Sequence, residues 1–178
     1  MPRPYTVAPH LHYFEVPLAT FTAARPEFDS FGVGGYIFSD ASTPRVLLLQ
    51  RALTDSMPGC WEGPGGSYEP DMDGTLLRWS GSWTHTRRNG SKFRIAKYSF
   101  MVEVFESVRP SAEQVPREEI PVQLMESEHQ AFDWATEEDV RLSLQGGGKY
   151  QLPGPATGHQ APNILRSFEL YRELQSKS

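Results

Sequence analysis

The sequence predicts an α/β (α+β) domain in which helices pack against a mixed β-sheet. Short strand patterns fill most of the chain up to about residue 135, whereas helical patterns stand near both ends. The 178 residues suit one domain with one core, and the 38% hydrophobic content is that of an ordinary globular protein. We therefore interpret residues 1–178 as a single domain, with an N-terminal extension over about 1–29.

The first elements follow from short local patterns. Residues 16–25, VPLATFTAAR, predict a short helix that Pro26 helps to end. Residues 30–40, SFGVGGYIFSD, predict a strand whose glycines require close packing or a bulge. The continuous apolar run VLLLQR at 46–51 is typical of a strand that is buried on both faces.

A hairpin is predicted in the middle of the chain. Asn89-Gly90 is a strong turn signal, and the alternating residues 92–106 predict the outgoing strand. By alternation, Lys97, Ser99 and Glu103 lie on the polar face of that strand. The other face carries Ala96, Tyr98, Phe100, Val102 and Val104.

The last third of the chain predicts two more strands followed by two helices. IPVQLM at 120–125 and HQAFDWA at 129–135 are short strand patterns. Thr136 caps the first helix, and the acids of its first turn complement the helix dipole. The second helix begins at about Pro162, and its buried stripe consists of Ile164, Leu165, Phe168 and Tyr171.

Composition excludes several classes of function. The net charge of -5 argues against a general nucleic-acid binder, which needs a basic face. The single cysteine, Cys60, excludes a disulfide framework and a cysteine-rich zinc site. No apolar run is long enough to span a membrane, and MPRPYTVAPH lacks the apolar centre of a signal peptide. We therefore expect a soluble cytoplasmic protein that has neither nucleic acid nor membrane as a partner.

The order of these patterns and one glycine segment carry a resemblance. A buried strand that ends in Arg51 is followed by a loop and then by Trp-Glu-x-Pro-Gly-Gly-x-x-Glu, which starts at Trp61. The chain thereby resembles the Nudix hydrolase family, and specifically its fungal-type members. The segments that carry the likeness span most of the chain from about residue 30: VLLLQRA, DSMPGCWEGPGGSYEP, KYSFMVEV and EHQAFDWATEEDV.

Only half of the family signature, G-x5-E-x7-R-E-U-x-E-E-x-G-U, is present. If the signature starts at Gly66, its first Glu falls on Met72, its Arg-Glu pair on 80–81 and its Glu-Glu pair on 84–85, which read SG and TH. If it starts at Gly65, the first acid is Asp71, but both later pairs again fail. The loop half of the signature therefore remains, while the acidic helix is apparently deleted.

The resemblance implies hydrolysis of a phosphoanhydride in a nucleoside diphosphate derivative, with Mg2+ or Mn2+ as the cofactor. Carboxylates and substrate phosphates are the ligands that such hard cations prefer. Glu69 is the best remaining metal ligand and catalytic acid, and Asp71 and Asp73 are further metal-ligand candidates. A solvated acidic loop is the alternative interpretation of the two aspartates.

Other residues near these patterns are candidates for substrate binding or for acid-base chemistry. Gly65 and Gly66 allow the backbone to approach a substrate, and Arg51 pairs either with a phosphate or with Glu62. The resemblance implies a ligand or base from a later loop, for which Glu128 is the catalytic candidate; its alternative is an exposed charge at a strand edge. His85 and His129 are either acid-base or structural groups, and Trp61 is a core residue or a pocket wall on which a flat substrate stacks.

Three explanations of the missing acids remain open. The chain is a shortened version of an active hydrolase, through a gene-model or splicing difference, and is then inactive in this form. Alternatively, it is a catalytically degenerate Nudix fold that binds or rearranges a non-nucleotide small molecule. As a third explanation, the remaining acids bind metal weakly in a divergent enzyme. A sheet face that lacks its covering helix would expose apolar side chains, which predicts self-association.

Overall fold

The computed structural model describes residues 7–67, 79–86, 89–104, 116–153 and 160–176. It confirms the predicted fold class, because strands in two sheets combine with helices within the same chain. The strands are β1 (Ser30–Tyr36), β2 (Arg45–Arg51), β3 (Trp61–Glu62), β4 (Gly65–Ser67), β5 (Trp79–Thr86), β6 (Lys92–Met101) and β7 (His129–Thr136). The helices are α1 (Leu18–Ala23), α2 (Glu137–Leu144) and α3 (Gln160–Gln175), with short 3-10 turns at Pro9–Phe14 and Arg117–Glu119.

The first of two compact units combines the chain up to Gly34 with Gly65–Phe100. Its sheet has the strand order β4-β1-β6-β5, and Asn89-Gly90 forms the β5–β6 turn, with Gly90 at φ 81°. Gly90 suits this turn because glycine adopts a positive φ without a steric penalty. A mainly aromatic hydrophobic cluster fills the core of this unit. It consists of Phe21, Phe31, Ala96, Tyr98 and Phe100.

The second unit combines Gly35–Pro64 with the chain from Met101. Its sheet has the order β3-β2-β7, and β2 runs antiparallel to both neighbours. The apolar run of β2 is buried, as predicted, and Val46 and Leu48 contribute to the same core cluster as Val140 of α2 and Phe168 of α3. This arrangement explains the continuous apolar pattern of β2, which lies in the centre of its sheet.

Both predicted C-terminal helices are confirmed. Thr136 caps α2 through a reciprocal capping box, in which its Oγ1 accepts from the Asp139 N–H at 3.2 Å and Asp139 Oδ2 accepts from the Thr136 N–H at 2.9 Å. These bonds satisfy amide groups that a helix terminus would otherwise leave unpaired. In α3, Ile164 and Phe168 are buried as the predicted stripe requires.

Three details differ from the sequence predictions. Residues 120–125, IPVQLM, do not form a strand: Met125 is 62% exposed and its carbonyl accepts the N–H groups of Glu128 and His129 in a turn. Strand β6 ends at Met101, so Val102 lies beyond it and is 37% exposed. Ser99, predicted on the polar face, is buried.

The structure also bears on the membrane prediction. Across the part of the chain that the structure describes, every helix is too short or too polar to pass through a bilayer.

Candidate functional site

Gly65 has a backbone position that only glycine can occupy. Its φ is 155°, and it pairs with Gly34 in the antiparallel β1–β4 register. A Cβ at Gly65 would lie 2.3 Å from the carbonyl oxygen of Val33 and 2.6 Å from the Cα of Gly34. Both contacts are with backbone atoms of β1, so neither can be relieved by a side-chain rotation. The pairing of β4 with β1 therefore requires glycine at this position.

Gly66 differs from its neighbour because its surroundings do not require glycine. It is exposed, pairs with Val33, and a Cβ added to it would meet no heavy atom within 4 Å. The structure thus separates the two glycines that the sequence analysis grouped together. Gly65 has a structural reason to be glycine, whereas the space beside Gly66 is open to whatever approaches this strand.

The predicted acids Glu69, Asp71 and Asp73 lie outside the described residues. The later positions of the signature lie within the described residues. Whether the signature starts at Gly65 or at Gly66, its Arg-Glu and Glu-Glu pairs fall within residues 79–85. These residues belong to strand β5, which pairs antiparallel with β6. In the family signature the same positions belong to a helix, so the strand places this part of the chain outside the family pattern.

Arg51 lies at the end of β2 and donates to acceptors on two elements. Its Nη1 donates to Glu62 Oε1 at 2.5 Å, and its Nη2 donates to Asp55 Oδ2 at 2.5 Å and Ser56 Oγ at 2.8 Å. Nε donates to the Ser56 carbonyl at 2.5 Å. Of the two partners that the sequence analysis names for Arg51, the structure shows an ion pair with Glu62. The phosphate contact stays a prediction.

Glu62 has a second polar neighbour in His129 of β7. The His129 Nε2 atom lies 3.5 Å from Glu62 Oε1, and both side chains are only 9% exposed. Among the described residues, this Nε2 atom is buried and has no hydrogen-bond partner. Glu62 therefore links β3 to β2 through its ion pair with Arg51 and lies close to His129 of β7. A buried carboxylate of this kind is costly unless it is paired.

Cys60 precedes Trp61 and has the properties of a structural cysteine. It is buried, and burial raises the pKa of its thiol, with Arg51 opposing and Glu62 adding to that shift. A thiol whose pKa is raised is less reactive, because the thiolate is the nucleophilic form. The structure thus favours a packing role for Cys60.

Trp61 is half-buried and is held by the segment that follows α2. Its backbone N–H donates to the Gln151 carbonyl at 2.8 Å. The ring of Tyr150 packs edge-on against the Trp61 indole at a centroid distance of 5.1 Å. Tyr150 is itself fixed by Asp133 of β7, which accepts from the Tyr150 hydroxyl at 3.0 Å and from Lys149 Nζ at 2.6 Å. Trp61 therefore has a defined orientation, as a pocket wall would require.

Asp133 should make a pH-dependent contribution to stability through these bonds. Burial alone would raise the pKa of Asp133, but hydrogen bonds from Lys149, the Trp134 N–H and Tyr150 outweigh burial and lower it. A carboxyl whose folded pKa is lowered stabilises the protein above its unfolded pKa, and that stabilisation disappears as pH falls through the folded pKa.

Asp133→Asn is accordingly expected to lower the Tm at pH 7 by roughly 2–4 °C, the equivalent of about 1 kcal/mol for a chain of this size. Thermal unfolding of both proteins between pH 7 and pH 2 tests this. The difference in Tm should stay constant down to about pH 5 and shrink below the ordinary carboxyl pKa of 3.8. A difference that grows in acid would contradict the assignment.

Glu128 and His85 are the remaining acid-base candidates from the sequence. The Glu128 side chain is exposed, and its backbone carbonyl accepts the Ala52 N–H at 2.8 Å. A catalytic role for Glu128 stays a prediction. The backbone of His85 pairs with Phe93 in the β5–β6 hairpin.

The divalent cation that the resemblance implies needs a cluster of ligands, chiefly carboxylates. Within the described ranges, no group of three or more His, Cys, Asp or Glu side chains could hold a metal ion. The Glu62 carboxylate, for example, already accepts from Arg51 and faces His129. The described side chains therefore do not fit a metal centre.

Sequence reasoning missed the loop partners of Arg51 and the cluster around Asp133. Asp55 and Ser56 stand four and five residues after Arg51, and that spacing signals a contact only in a helix. Asp133 and Lys149 lie on either side of α2, and no local pattern joins them. No local pattern joins Glu62 to His129 either, which opens the predicted strand at 129–135.

Comparisons with known proteins give similar structures but no similar sequences. No protein-family model matches the chain, and no curated protein matches it. The crystal structure of the MutT protein from Methanosarcina mazei Go1 matches 82% of this chain and 94% of its own, with 16% identity and a TM-score of 0.41. The Nudix domain of Shewanella oneidensis NrtR, crystallised with ADP ribose, matches 85% of this chain and 97% of its own, with 13% identity and a TM-score of 0.44.

A third structure, the MutT Nudix hydrolase from Burkholderia pseudomallei, matches 76% of this chain and 95% of its own, with 19% identity and a TM-score of 0.40. Nudix proteins, the family that the sequence resembles, thus recur among the structures to which this chain is similar.

Proposed function

We propose that the chain is a Nudix-type hydrolase that cleaves a phosphoanhydride in a nucleoside diphosphate derivative, with Mg2+ or Mn2+ as its cofactor. The observation that supports this most is the backbone of Gly65, which no other residue can replace. A glycine with such a requirement, in the segment Trp-Glu-x-Pro-Gly-Gly-x-x-Glu, is what a preserved Nudix loop needs. A cytoplasmic location and self-association belong to the same proposal.

Each candidate residue has a proposed role. In the first unit, Gly66 lets the backbone come close to a ligand. In the second unit, Arg51 binds a substrate phosphate. Trp61, held by Tyr150, is the wall on which the flat part of the substrate stacks. Glu128 acts in proton transfer. Glu69, with Asp71 and Asp73, supplies carboxylates to the cation, and bound cations neutralise charge on pyrophosphate oxygens.

These metal ligands are proposed from the sequence, because the described side chains do not fit a metal centre. Among the described residues, Arg51 contributes to positioning as well as to the proposed phosphate contact. Arg51 keeps its loop in place through Asp55 and Ser56, and it balances the charge of Glu62. Phosphoryl transfer depends largely on such positioning and on electrostatic stabilisation.

A second candidate function has its own supporting observation. The signature positions for the later acids lie in strand β5, where they pair with β6. A chain that has a strand at these positions fits a catalytically degenerate Nudix fold that binds or rearranges a non-nucleotide small molecule. Under this alternative, Trp61 remains as a pocket wall while hydrolysis is lost.

A substrate screen separates the two candidates. Turnover is measured as phosphate that an added phosphatase frees from the phosphomonoester products of nucleoside diphosphate sugars, dinucleotides and oxidised nucleotides, each with Mg2+, with Mn2+ and with a chelator. We expect turnover that requires the cation. Glu69→Gln should lower kcat on the order of 100-fold or more, since electrostatic stabilisation is usually the largest catalytic contribution.

Glu169→Gln is the matched control for that experiment. Glu169 is an exposed residue of α3 that pairs with Arg166, so this variant makes the same change on the surface and should keep full activity. Metal-dependent turnover that survives in Glu69→Gln would refute the metal assignment. A complete lack of turnover across the screen would favour the degenerate fold.

A further inference from the structure

We propose that Asp55 occupies the position of a substrate phosphate on Arg51, so that the loop after β2 competes with anionic ligands for this guanidinium. The inference rests on the proposed function, because it names a regulation of the same phosphate contact. It follows from the way in which the acceptors are divided between the two edges of the Arg51 side chain.

Loop oxygens fill one whole edge of the guanidinium. Nε donates to the Ser56 carbonyl, while Nη2 donates to Asp55 Oδ2 and Ser56 Oγ. The parallel N–H groups of Nε and Nη2 form the pair with which arginine commonly binds a carboxylate or a phosphate in bidentate fashion. A phosphate group offers two oxygens to such an edge, and in this structure oxygens of the loop stand in their place.

The two acidic partners of Arg51 differ in how easily they can leave. Glu62 belongs to strand β3, and its side chain is 9% exposed. Asp55 belongs to the loop, and its side chain is 29% exposed. Solvent therefore reaches the guanidinium from the Asp55 side, and an arriving phosphate would displace Asp55 while Glu62 keeps Arg51 oriented.

Charge and backbone conformation favour the same exchange. Arg51 carries one positive charge against the two carboxylates of Glu62 and Asp55, so a phosphate cannot bind beside both without repulsion. The loop also contains Met57 at φ 54°, a left-handed conformation that is uncommon for a residue with a side chain. A loop that stores strain of this kind can rearrange at a smaller cost than a relaxed one.

Removing the competing charge should therefore strengthen anion binding. The probe is inorganic pyrophosphate, titrated calorimetrically in the presence of a chelator into wild type and Asp55→Asn. We expect Asp55→Asn to bind pyrophosphate roughly three- to tenfold more tightly, the size of effect that a partly exposed ion pair allows. In wild type, Arg51→Lys should weaken binding, because lysine lacks the bidentate edge.

Asp29→Asn is the matched control. Asp29 is 41% exposed and pairs with Arg94 in the first unit, so the variant makes the same change in net charge elsewhere. It should alter pyrophosphate affinity by less than about twofold, since the charge that it removes is exposed and pairs with Arg94 rather than with Arg51. A gain of the same size in Asp29→Asn would mean that net charge alone is responsible, and it would overturn the inference.

Other outcomes separate this inference from the proposed function. Pyrophosphate affinity that is unchanged or weaker in Asp55→Asn overturns the inference, and so does a lack of binding in both proteins. A gain that persists when Arg51→Lys is added to Asp55→Asn overturns it as well. Tighter binding without turnover of any substrate would support the inference and refute the hydrolase, because the titration does not require catalysis.

Discussion

Replacing Glu62 by glutamine is expected to lower the free energy of unfolding by about 3 kcal/mol, the lower end of the range for a broken buried ion pair. Glutamine keeps the size of the side chain but removes the charge between Arg51 and His129. Arg51 retains Asp55, which is why the loss should not reach the upper end of that range. Urea unfolding of both proteins at pH 7 measures the difference.

Glu137→Gln is a close control for this prediction. Glu137 accepts from two cations, Arg141 and Arg172, each at 2.5 Å, but its side chain is 22% exposed, whereas that of Glu62 is 9% exposed. Water can solvate the arginines once that carboxylate is gone, so we expect a loss of at most about 1 kcal/mol. Similar losses in the two variants would show that burial of Glu62 is not the deciding factor.

A double replacement separates the cost of an unpaired charge from the value of the pair itself. Changing Arg51 to Met together with Glu62 to Leu removes both charges at once. Apolar replacements of a buried pair are often neutral or stabilising, whereas single replacements leave one charge buried. The double variant should therefore be more stable than Glu62→Gln. If it is less stable, the loop contacts of Arg51 outweigh its pairing with Glu62.

These contacts show what the sequence could predict and what it could not. Strand β2 was predictable because an apolar run with a charged end has few other interpretations, and the cap at Thr136 was predictable because its partner Asp139 lies three residues away. The hairpin turn at Asn89-Gly90 is a local signal of the same kind. In each of these cases, residues close together in the chain determine the structure.

Long-range pairing explains the failures. IPVQLM has the alternation of a strand, but a strand exists only where another strand pairs with it, and here the segment turns back at Met125. The Asp133–Lys149 pair likewise depends on how α2 returns the chain to β7. The contact between Glu62 and His129 also joins two strands that are far apart in sequence.

The adjacent glycines Gly65 and Gly66, which no sequence pattern distinguishes, should respond very differently to replacement by alanine. Gly65→Ala places a Cβ 2.3 Å from the Val33 carbonyl oxygen, at a φ of 155° that residues with a side chain rarely adopt. We expect β4 to lose its pairing with β1 and the free energy of unfolding to fall by about 3 kcal/mol or more. Urea unfolding, with hydrogen exchange at the amides of β1, measures both effects.

Gly66→Ala is the control that makes this result interpretable, and it also tests the proposed function. Its Cβ would meet no heavy atom of the protein within 4 Å, so the free energy of unfolding should change by less than about 0.5 kcal/mol.

If Gly66 lies against substrate phosphates, however, the added methyl group would stand where they approach, and kcat/KM should fall in a protein that is otherwise as stable as wild type. Unchanged turnover in Gly66→Ala would remove Gly66 from the site and leave Gly65 with a purely structural role. Equal destabilisation by the two substitutions would instead refute the distinction that the backbone of β1 imposes.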